Sequence, residues 1–147
     1  MQITVQEAPF DFGAEAARFA KGRTQEGAII TFTGLVRDTP SGDLRSMEIE
    51  HYPGMTERAI NAMAEAARTR FSLADVLIIH RVGILLPGEI IMMVATAAAH
   101  RADAFAGASY LMDYLKSRAP FWKREVTLQG AKWVAATQED EAAVARW

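Results

Sequence analysis

The chain has 147 residues, the length of a single domain, and its 50% hydrophobic and 23% charged residues are typical of a globular protein with a buried core. The formal net charge of -2 provides no overall positive field for nucleic acid or an anionic membrane, so any anion-binding site must be local. Without cysteine, the chain has no disulfide, thiolate metal ligand or cysteine nucleophile, and we expect it in the cytoplasm.

The first half of the chain predicts three strands and two helices. Residues 3–5 predict a short strand, and residues 12–21 predict a helix that Gly22 ends. Residues 27–36 are rich in β-branched and aromatic residues and predict a buried strand, followed by a turn over 38–43. Apolar and polar residues alternate over 47–52, which predicts a strand with one face toward solvent. Apolar positions at helical spacing over 55–71 predict a second helix.

The second half of the chain continues this mixture of elements. Residues 76–79 and 90–96 predict strands on either side of a Pro87-Gly88 turn. A third helix is predicted from about residue 103 and ends before Pro120, because proline disfavours the α conformation in the preceding residue. Residues 121–127 and 132–136 predict strands, and residues 139–146 predict a terminal helix. This order predicts an α+β fold, with helices packed on a mixed or antiparallel sheet in one domain, 1–147.

Several kinds of site and segment are missing from the sequence. The most apolar run, residues 90–99, is about half as long as a bilayer-spanning helix, and the N-terminus lacks the basic and apolar regions of a signal peptide, so we predict no membrane contact. The three histidines are scattered, and no glycine-rich phosphate loop or serine nucleophile elbow occurs. We therefore predict no metal and no cofactor.

The most distinctive segment is residues 116–124, which holds four cations and two aromatic residues in an acidic protein. Lys116 is predicted in the last turn of the third helix and Lys123 beyond the break at Pro120, so a chain reversal would bring both amines into one pocket. Repulsion between two amines lowers the pKa of one, which suits it to acid–base or nucleophilic chemistry. The alternative is a helix end with solvated lysines and Trp122 in the core.

Three further cations are predicted at the ends of strands. His100 and Arg101 close the apolar strand and open the third helix, where they could meet an anion at the helix N-terminus. The alternative is a helix-entry pair held by backbone contacts. Arg37, which leaves its strand just before a turn, has the same two interpretations.

Five other residues are predicted, from the residues alone, to have structural roles. The pair His80-Arg81 precedes Val82-Gly83 and favours a structural role, and His51 alternates with apolar residues, as a core histidine would. Phe32 and Met112 are most simply core residues when the residues alone are considered.

Five segments closely resemble the large, catalytic subunit of molybdopterin synthase, and they occur in order across nearly the whole chain. They are TFTGLVRD (31–38), EIEHYPGMTE (48–57), HRVG (80–83), AAHRADAF (98–105) and MDYLKSRAPFWKRE (112–125). The last of them is highly specific to that family.

The resemblance implies an α/β hammerhead-type fold and a homodimer in which each protomer binds one small ubiquitin-like sulfur-carrier subunit, giving a heterotetramer. It implies that the carrier's C-terminal Gly-Gly thiocarboxylate enters a pocket, from which two sulfurs pass to cyclic pyranopterin monophosphate and form the dithiolene of molybdopterin. One alternative is a non-catalytic anion- or tail-binding module that keeps the fold. Another, nucleic-acid binding through Trp122 and the basic segment, is opposed by the net charge.

The resemblance also implies roles for individual residues. Lys116 would be essential, as proton donor and acceptor or as covalent partner of the carrier's terminal acyl group, and Lys123 would assist it electrostatically and in proton transfer. The residues expected to bind the phosphate and pterin are Arg37, His100 and Arg101. The residues expected to line the pocket or tail channel are Phe32, Met112 and Pro120.

Overall fold

A computed structural model describes all 147 residues as four helices and eight strands. The helices are α1 (Phe12–Ala20), α2 (Met55–Arg70), α3 (Arg101–Ser117) and α4 (Gln138–Ala145). The strands are β1 (Gln2–Gln6), β2 (Ala28–Leu35), β3 (Leu44–His51), β4 (Leu73–Arg81), β5 (Gly83–Leu85), β6 (Ile90–Ala98), β7 (Phe121–Thr127) and β8 (Gly130–Val134). None of the four helices is long and apolar enough to cross a membrane.

The strands form two sheets of four. The first sheet has the order β1-β4-β6-β2, in which only β1 and β4 are parallel. The second sheet has the order β5-β3-β7-β8 and is antiparallel throughout. The predicted α+β fold with a mixed or antiparallel sheet is therefore confirmed, although the strands divide between two sheets.

The sequence patterns missed one strand and shortened another. β5 has only three residues, too few to show a period, and it forms by pairing with β3 opposite Met47 and Glu48. β4 extends beyond the predicted 76–79 at both ends. Polar residues near these ends interrupt the apolar pattern from which the strand was predicted. At its start Asp75 pairs with Arg23 at 2.6 Å, and at its end Arg81 is buried and donates to the Glu7 carbonyl at 3.0 Å.

Three apolar clusters hold these layers together. α2 and α3 cover one face of the first sheet, where Ile60, Ile78, Val94 and Leu111 belong to the main cluster. α1 covers the opposite face through Phe19. A third cluster joins the two sheets and consists of Val36, Leu44, Ile49, Val82 and Leu85. The chain reversal between α3 and β7 lies beside this junction, because Phe121 packs against both the main and the third cluster.

Replacing Leu111 by alanine tests the main cluster. Leu111 is completely buried, so we expect Leu111→Ala to lower the free energy of unfolding by about 2–5 kcal/mol through lost burial and a residual cavity. Chemical denaturation followed by circular dichroism measures the loss. Leu128→Ala is the control, because Leu128 is 66% exposed and its truncation should change stability by less than about 0.5 kcal/mol. Equal losses in the two variants would contradict this view of the core.

Candidate functional site

Two lysines and one aspartate come together where α3 ends and β7 begins. Lys116 lies in the last turn of α3, with its side chain 59% exposed, and its Nζ is 4.0 Å from Oδ1 of Asp140. The chain reverses at Pro120 and returns as β7, which carries Lys123 near the same carboxylate, as the electrostatic influence of both lysines on Asp140 indicates. We call these three residues the two-lysine site.

The register of β7 explains why Lys123 points inward. Lys123 pairs with Ile49 on β3, which is buried, and with Val134 on β8. Alternate residues of a strand share a face, so Lys123 lies on the same side as Phe121, toward the junction of the two sheets. The strand part of the segment 116–124 therefore has two environments, because Trp122 and Arg124 lie on the opposite face of β7.

The outer face of the second sheet holds Trp122 and Arg124 of this segment. Trp122 packs edge-to-face against Tyr52, with ring centroids 5.2 Å apart. Arg124 forms an ion pair with Glu48 and lies over the ring of Trp133 at 5.6 Å. Trp122 is thus on a half-exposed sheet face and not in the core.

Burial and charge together make Lys123 a weaker base than an ordinary lysine. Burial lowers its pKa most, and the positive charge of Lys116 lowers it further, while the Asp140 carboxylate opposes both effects. A larger fraction of Lys123 is therefore neutral near physiological pH than for a solvated lysine. A neutral amine can accept a proton, and a neighbouring ammonium can hold an anion.

Asp140 is fixed by the start of α4. The Thr137 hydroxyl accepts a hydrogen bond from the Asp140 N–H at 3.1 Å, and Oδ2 of Asp140 accepts one from the Thr137 N–H at 2.9 Å. The Thr137 backbone hydrogen bond lowers the pKa of Asp140 most, and both lysines lower it further. Sequence reasoning missed this residue. The spacing Thr137-x-x-Asp140 signals a capping box, but it does not reveal which side chains the carboxylate faces.

Two histidines lie behind the two-lysine site. His80, on β4, is buried, and its ring stacks on Phe121 with centroids 3.9 Å apart. Burial and then the charge of Lys123 lower the pKa of His80 to about 3. His51, at the end of β3, is partly exposed, and its Nε2 lies 3.7 Å from Oε1 of Glu57.

The cations predicted to bind phosphate lie at two opposite ends of the first sheet. Arg37 is exposed just after β2, whose last residue, Leu35, pairs with Ile90 at the start of β6. α3 runs back along β6, with the Thr96 hydroxyl donating to the Ala104 carbonyl at 2.8 Å, so Lys116 reaches this same end. The C-terminal end of β6 is where α3 begins.

His100 and Arg101 lie at that other end. His100 is the N-cap of α3 and Arg101 its first residue, and both are exposed. Lys116 follows Arg101 on the same helix by 15 residues, which corresponds to about 22 Å along the axis. One chain therefore does not bring Arg101 and Lys116 to a common phosphate group.

The predicted lining residues lie near the α3 side of the first sheet. Phe32 is 42% exposed and shares its strand face with Ala28 and Ile30, which pack against the main cluster. Met112 is half-buried on α3 and packs against the same cluster. Pro120 is fixed at the start of β7, where its carbonyl accepts a hydrogen bond from the Thr56 hydroxyl at 3.1 Å.

A cleft of about 570 Å³ lies away from these residues, beside α1 and the start of β4. Its charges neutralise one another, because Asp75 contacts both Arg23, at 2.6 Å, and the N-terminal amine of Met1, at 2.9 Å. No group of three or more histidine, aspartate or glutamate side chains is arranged to hold a metal ion. The cationic two-lysine site is thus the stronger candidate for chemistry.

The chain is similar to a known protein family and to relatives over its whole length. The family model described as "MoaE protein" matches residues 5–118. The molybdopterin synthase catalytic subunit of Cereibacter sphaeroides is 69% identical over the full length of both chains. That of Escherichia coli is 46% identical over 99% of this chain and 97% of the relative.

Solved structures share the fold. The molybdopterin biosynthesis MoaE protein from Burkholderia ambifaria is 49% identical, with a TM-score of 0.83 over 100% of this chain and 98% of that chain. A protein-protein complex of subunits 1 and 2 of molybdopterin-converting factor from Helicobacter pylori contains a chain that is 17% identical, with a TM-score of 0.74 over 92% of this chain and 90% of that chain. The second likeness shows the fold alone.

Proposed function

The chain belongs to the MoaE family, the catalytic subunits of molybdopterin synthase, and we propose that its two-lysine site performs the sulfur transfer of that enzyme. The proposed substrate is cyclic pyranopterin monophosphate, which receives two sulfurs and becomes the dithiolene molybdopterin. The observation that supports this role most strongly is the half-buried amine of Lys123, whose pKa is lowered beside a second, exposed amine.

The sulfur must be delivered by a partner, because the chain contains no cysteine. We propose a small ubiquitin-like carrier subunit, whose C-terminal Gly-Gly thiocarboxylate is anionic and narrow enough to enter a cationic pocket. A chain of the two-subunit complex from Helicobacter pylori shares this fold, which is consistent with such a partner. The complete assembly would be a heterotetramer of two catalytic and two carrier subunits.

The two lysines suit different parts of the reaction. Lys116 is exposed at the end of α3, so it can reach the incoming thiocarboxylate as proton donor and acceptor or as covalent partner of the acyl group. When the thiocarboxylate sulfur bonds to a substrate carbon, a C–O bond at that carbon breaks, so that the cyclic phosphate opens at one carbon and oxygen leaves as water at the other. The resulting thioester is hydrolysed by water, which releases the carrier carboxylate and leaves the sulfur on the substrate. Lys123 would accept and return protons during these steps and stabilise their negative charge.

The remaining phosphate-binding residues require a second copy of the chain. His100 and Arg101 carry cationic groups at a helix N-terminus, a favourable place for phosphate, but about 22 Å of helix separates Arg101 from Lys116. We propose that the homodimer places this helix N-terminus of one protomer against the two-lysine site of the other. Arg37, at the same sheet end as Lys116, would contribute from the first protomer, and Phe32, Met112 and Pro120 would line the pocket.

Reconstitution tests the proposed function. The purified protein is mixed with a thiocarboxylated carrier and cyclic pyranopterin monophosphate, and the dithiolene product is followed by mass spectrometry. We expect product only with the thiocarboxylated carrier, and none with the same carrier bearing an ordinary C-terminal carboxylate. Carrier binding without product would favour the alternative of a non-catalytic tail-binding module.

A further inference from the structure

His80 is a buried titratable residue beside the two-lysine site that the proposed reaction does not use. Its side chain is only 3% exposed, on β4 of the first sheet. Its ring lies nearly parallel to that of Phe121, at 17° and a centroid distance of 3.9 Å. Phe121 belongs to β7, so this stack connects the two sheets at the point where Lys123 faces inward.

The hydrogen bonding of His80 fixes its tautomer. Nδ1 is 2.8 Å from the carbonyl oxygen of Arg81, and a carbonyl can only accept, so Nδ1 donates its hydrogen. Burial holds the pKa of His80 at about 3, and the ring is therefore neutral at any pH near 7. The imidazole thus fills the space between the sheets as an uncharged, tethered aromatic ring.

The stack lies beside Lys123 in the folded chain. Phe121 and Lys123 are two residues apart on one strand and share its inward face. The charge of Lys123 contributes to the lowered pKa of His80, in agreement with this shared face. Burial is the largest cause of the lowered pKa of Lys123, so the groups that exclude water from its amine determine how basic it is.

We propose that His80 is a positioning residue for Lys123: tethered to the Arg81 carbonyl and stacked on Phe121, it forms a dry, uncharged wall beside the Lys123 amine. A phenylalanine could provide the wall but not the tether. A protonated histidine would add a repelling charge. The inference deepens the proposed function, on which it depends for the use of Lys123 in proton transfer.

Other titratable groups lie around the Lys123 amine, and a test of His80 must leave them unchanged. Lys116 approaches from α3, Asp140 from α4 and His51 from β3, with Glu57 of α2 behind His51. Substitutions at His80 alter none of these residues. A changed titration of Lys123 in such variants therefore reports altered access of water to its amine.

The test is the titration of Lys123 in the full-length protein. The chain has only four lysines, so selective ¹³Cε labelling gives four NMR signals, and Lys123→Arg identifies the relevant one. We expect His80→Ala to raise the midpoint of the Lys123 titration by about one pH unit, because water enters the cavity. We expect His80→Phe to keep the midpoint low. If His80→Ala does not fold, His80→Gln carries the test, since it can retain the hydrogen bond to Arg81 but loses the stack.

The matched control is Ile79→Ala, a buried truncation on the opposite face of the same strand, packed in the α1 cluster. It should destabilise the protein while leaving the Lys123 titration unchanged. An unchanged Lys123 midpoint in folded His80→Ala or His80→Gln would overturn the inference, as would an equal shift in Ile79→Ala.

Product formation separates this inference from the proposed function. A shifted Lys123 titration with no change in the pH dependence of product formation supports the role of His80 and removes Lys123 from the reaction. An unchanged titration in a variant that still forms product overturns the role of His80 and leaves the sulfur-transfer function intact. If the Lys123 titration and the pH dependence of product formation both move to higher pH, the result supports the role of His80 and the use of Lys123 in the reaction.

Discussion

Lys116→Ala should reduce product formation by at least about 100-fold while leaving the fold unchanged, since loss of a positioned proton-transfer group typically costs 10²–10⁴ in rate. Lys116 is the exposed amine of the two-lysine site, and its side chain is 59% exposed, so the substitution should change the free energy of unfolding by less than about 0.5 kcal/mol. Single-turnover formation of the dithiolene, followed by mass spectrometry with saturating thiocarboxylated carrier, measures the loss.

Two further variants sharpen this result. Lys116→Arg keeps a positive charge but lacks an amine that can lose a proton or form a covalent bond, so we expect it to be nearly as inactive as the alanine variant. Lys132→Ala, at an exposed position on β8, controls for loss of any surface lysine and should retain wild-type activity. Wild-type turnover by Lys116→Ala would remove this residue from the reaction.

Lys123→Arg should likewise lower product formation by about 100-fold, because a guanidinium stays protonated and cannot accept a proton. In the wild type, the neutral form of Lys123 increases as pH rises through its pKa. Burial and Lys116 lower that pKa, so product formation should rise with pH at a pH below the ordinary lysine pKa of about 10.4.

Replacing Asp140 should move the pH dependence of product formation in a defined direction. Its carboxylate favours the charged form of Lys123, so Asp140→Asn should lower the pKa of Lys123 and move the rising limb of the pH–rate profile to lower pH. Asparagine can still accept the hydrogen bond from the Thr137 N–H, which keeps the start of α4 in place. Initial rates measured across pH for the two proteins make the comparison. A limb displaced to higher pH in Asp140→Asn would contradict the assignment of Lys123.

Local patterns were sufficient to predict most elements of the fold. Helical spacing identified α2 and α3, and Pro120 located the break after α3. The division of the strands into two sheets was not predictable in this way, because it depends on pairing between distant segments such as β3 and β7. β5 was missed for the same reason, since its three residues become a strand only beside β3.

The candidate site was predictable only where its members share one segment. Lys116 and Lys123 stand close together in the sequence, and their composition alone drew attention to them. Asp140 and His80 reach the site through the docking of α4 on α3 and through the packing of the two sheets, which no local pattern records. The distance between Arg101 and Lys116, by contrast, could be predicted from the sequence, because a helix has a fixed rise per residue.

The length of α3 has a genetic consequence. If the pocket is shared between two copies, a chain lacking Lys116 and a chain lacking Arg101 are each inactive in their own homodimers. A mixed dimer contains one pocket with both defects and one with none, because each pocket takes Lys116 from one chain and Arg101 from the other. Two defective alleles expressed together should therefore complement each other, which a pocket confined to a single chain does not allow.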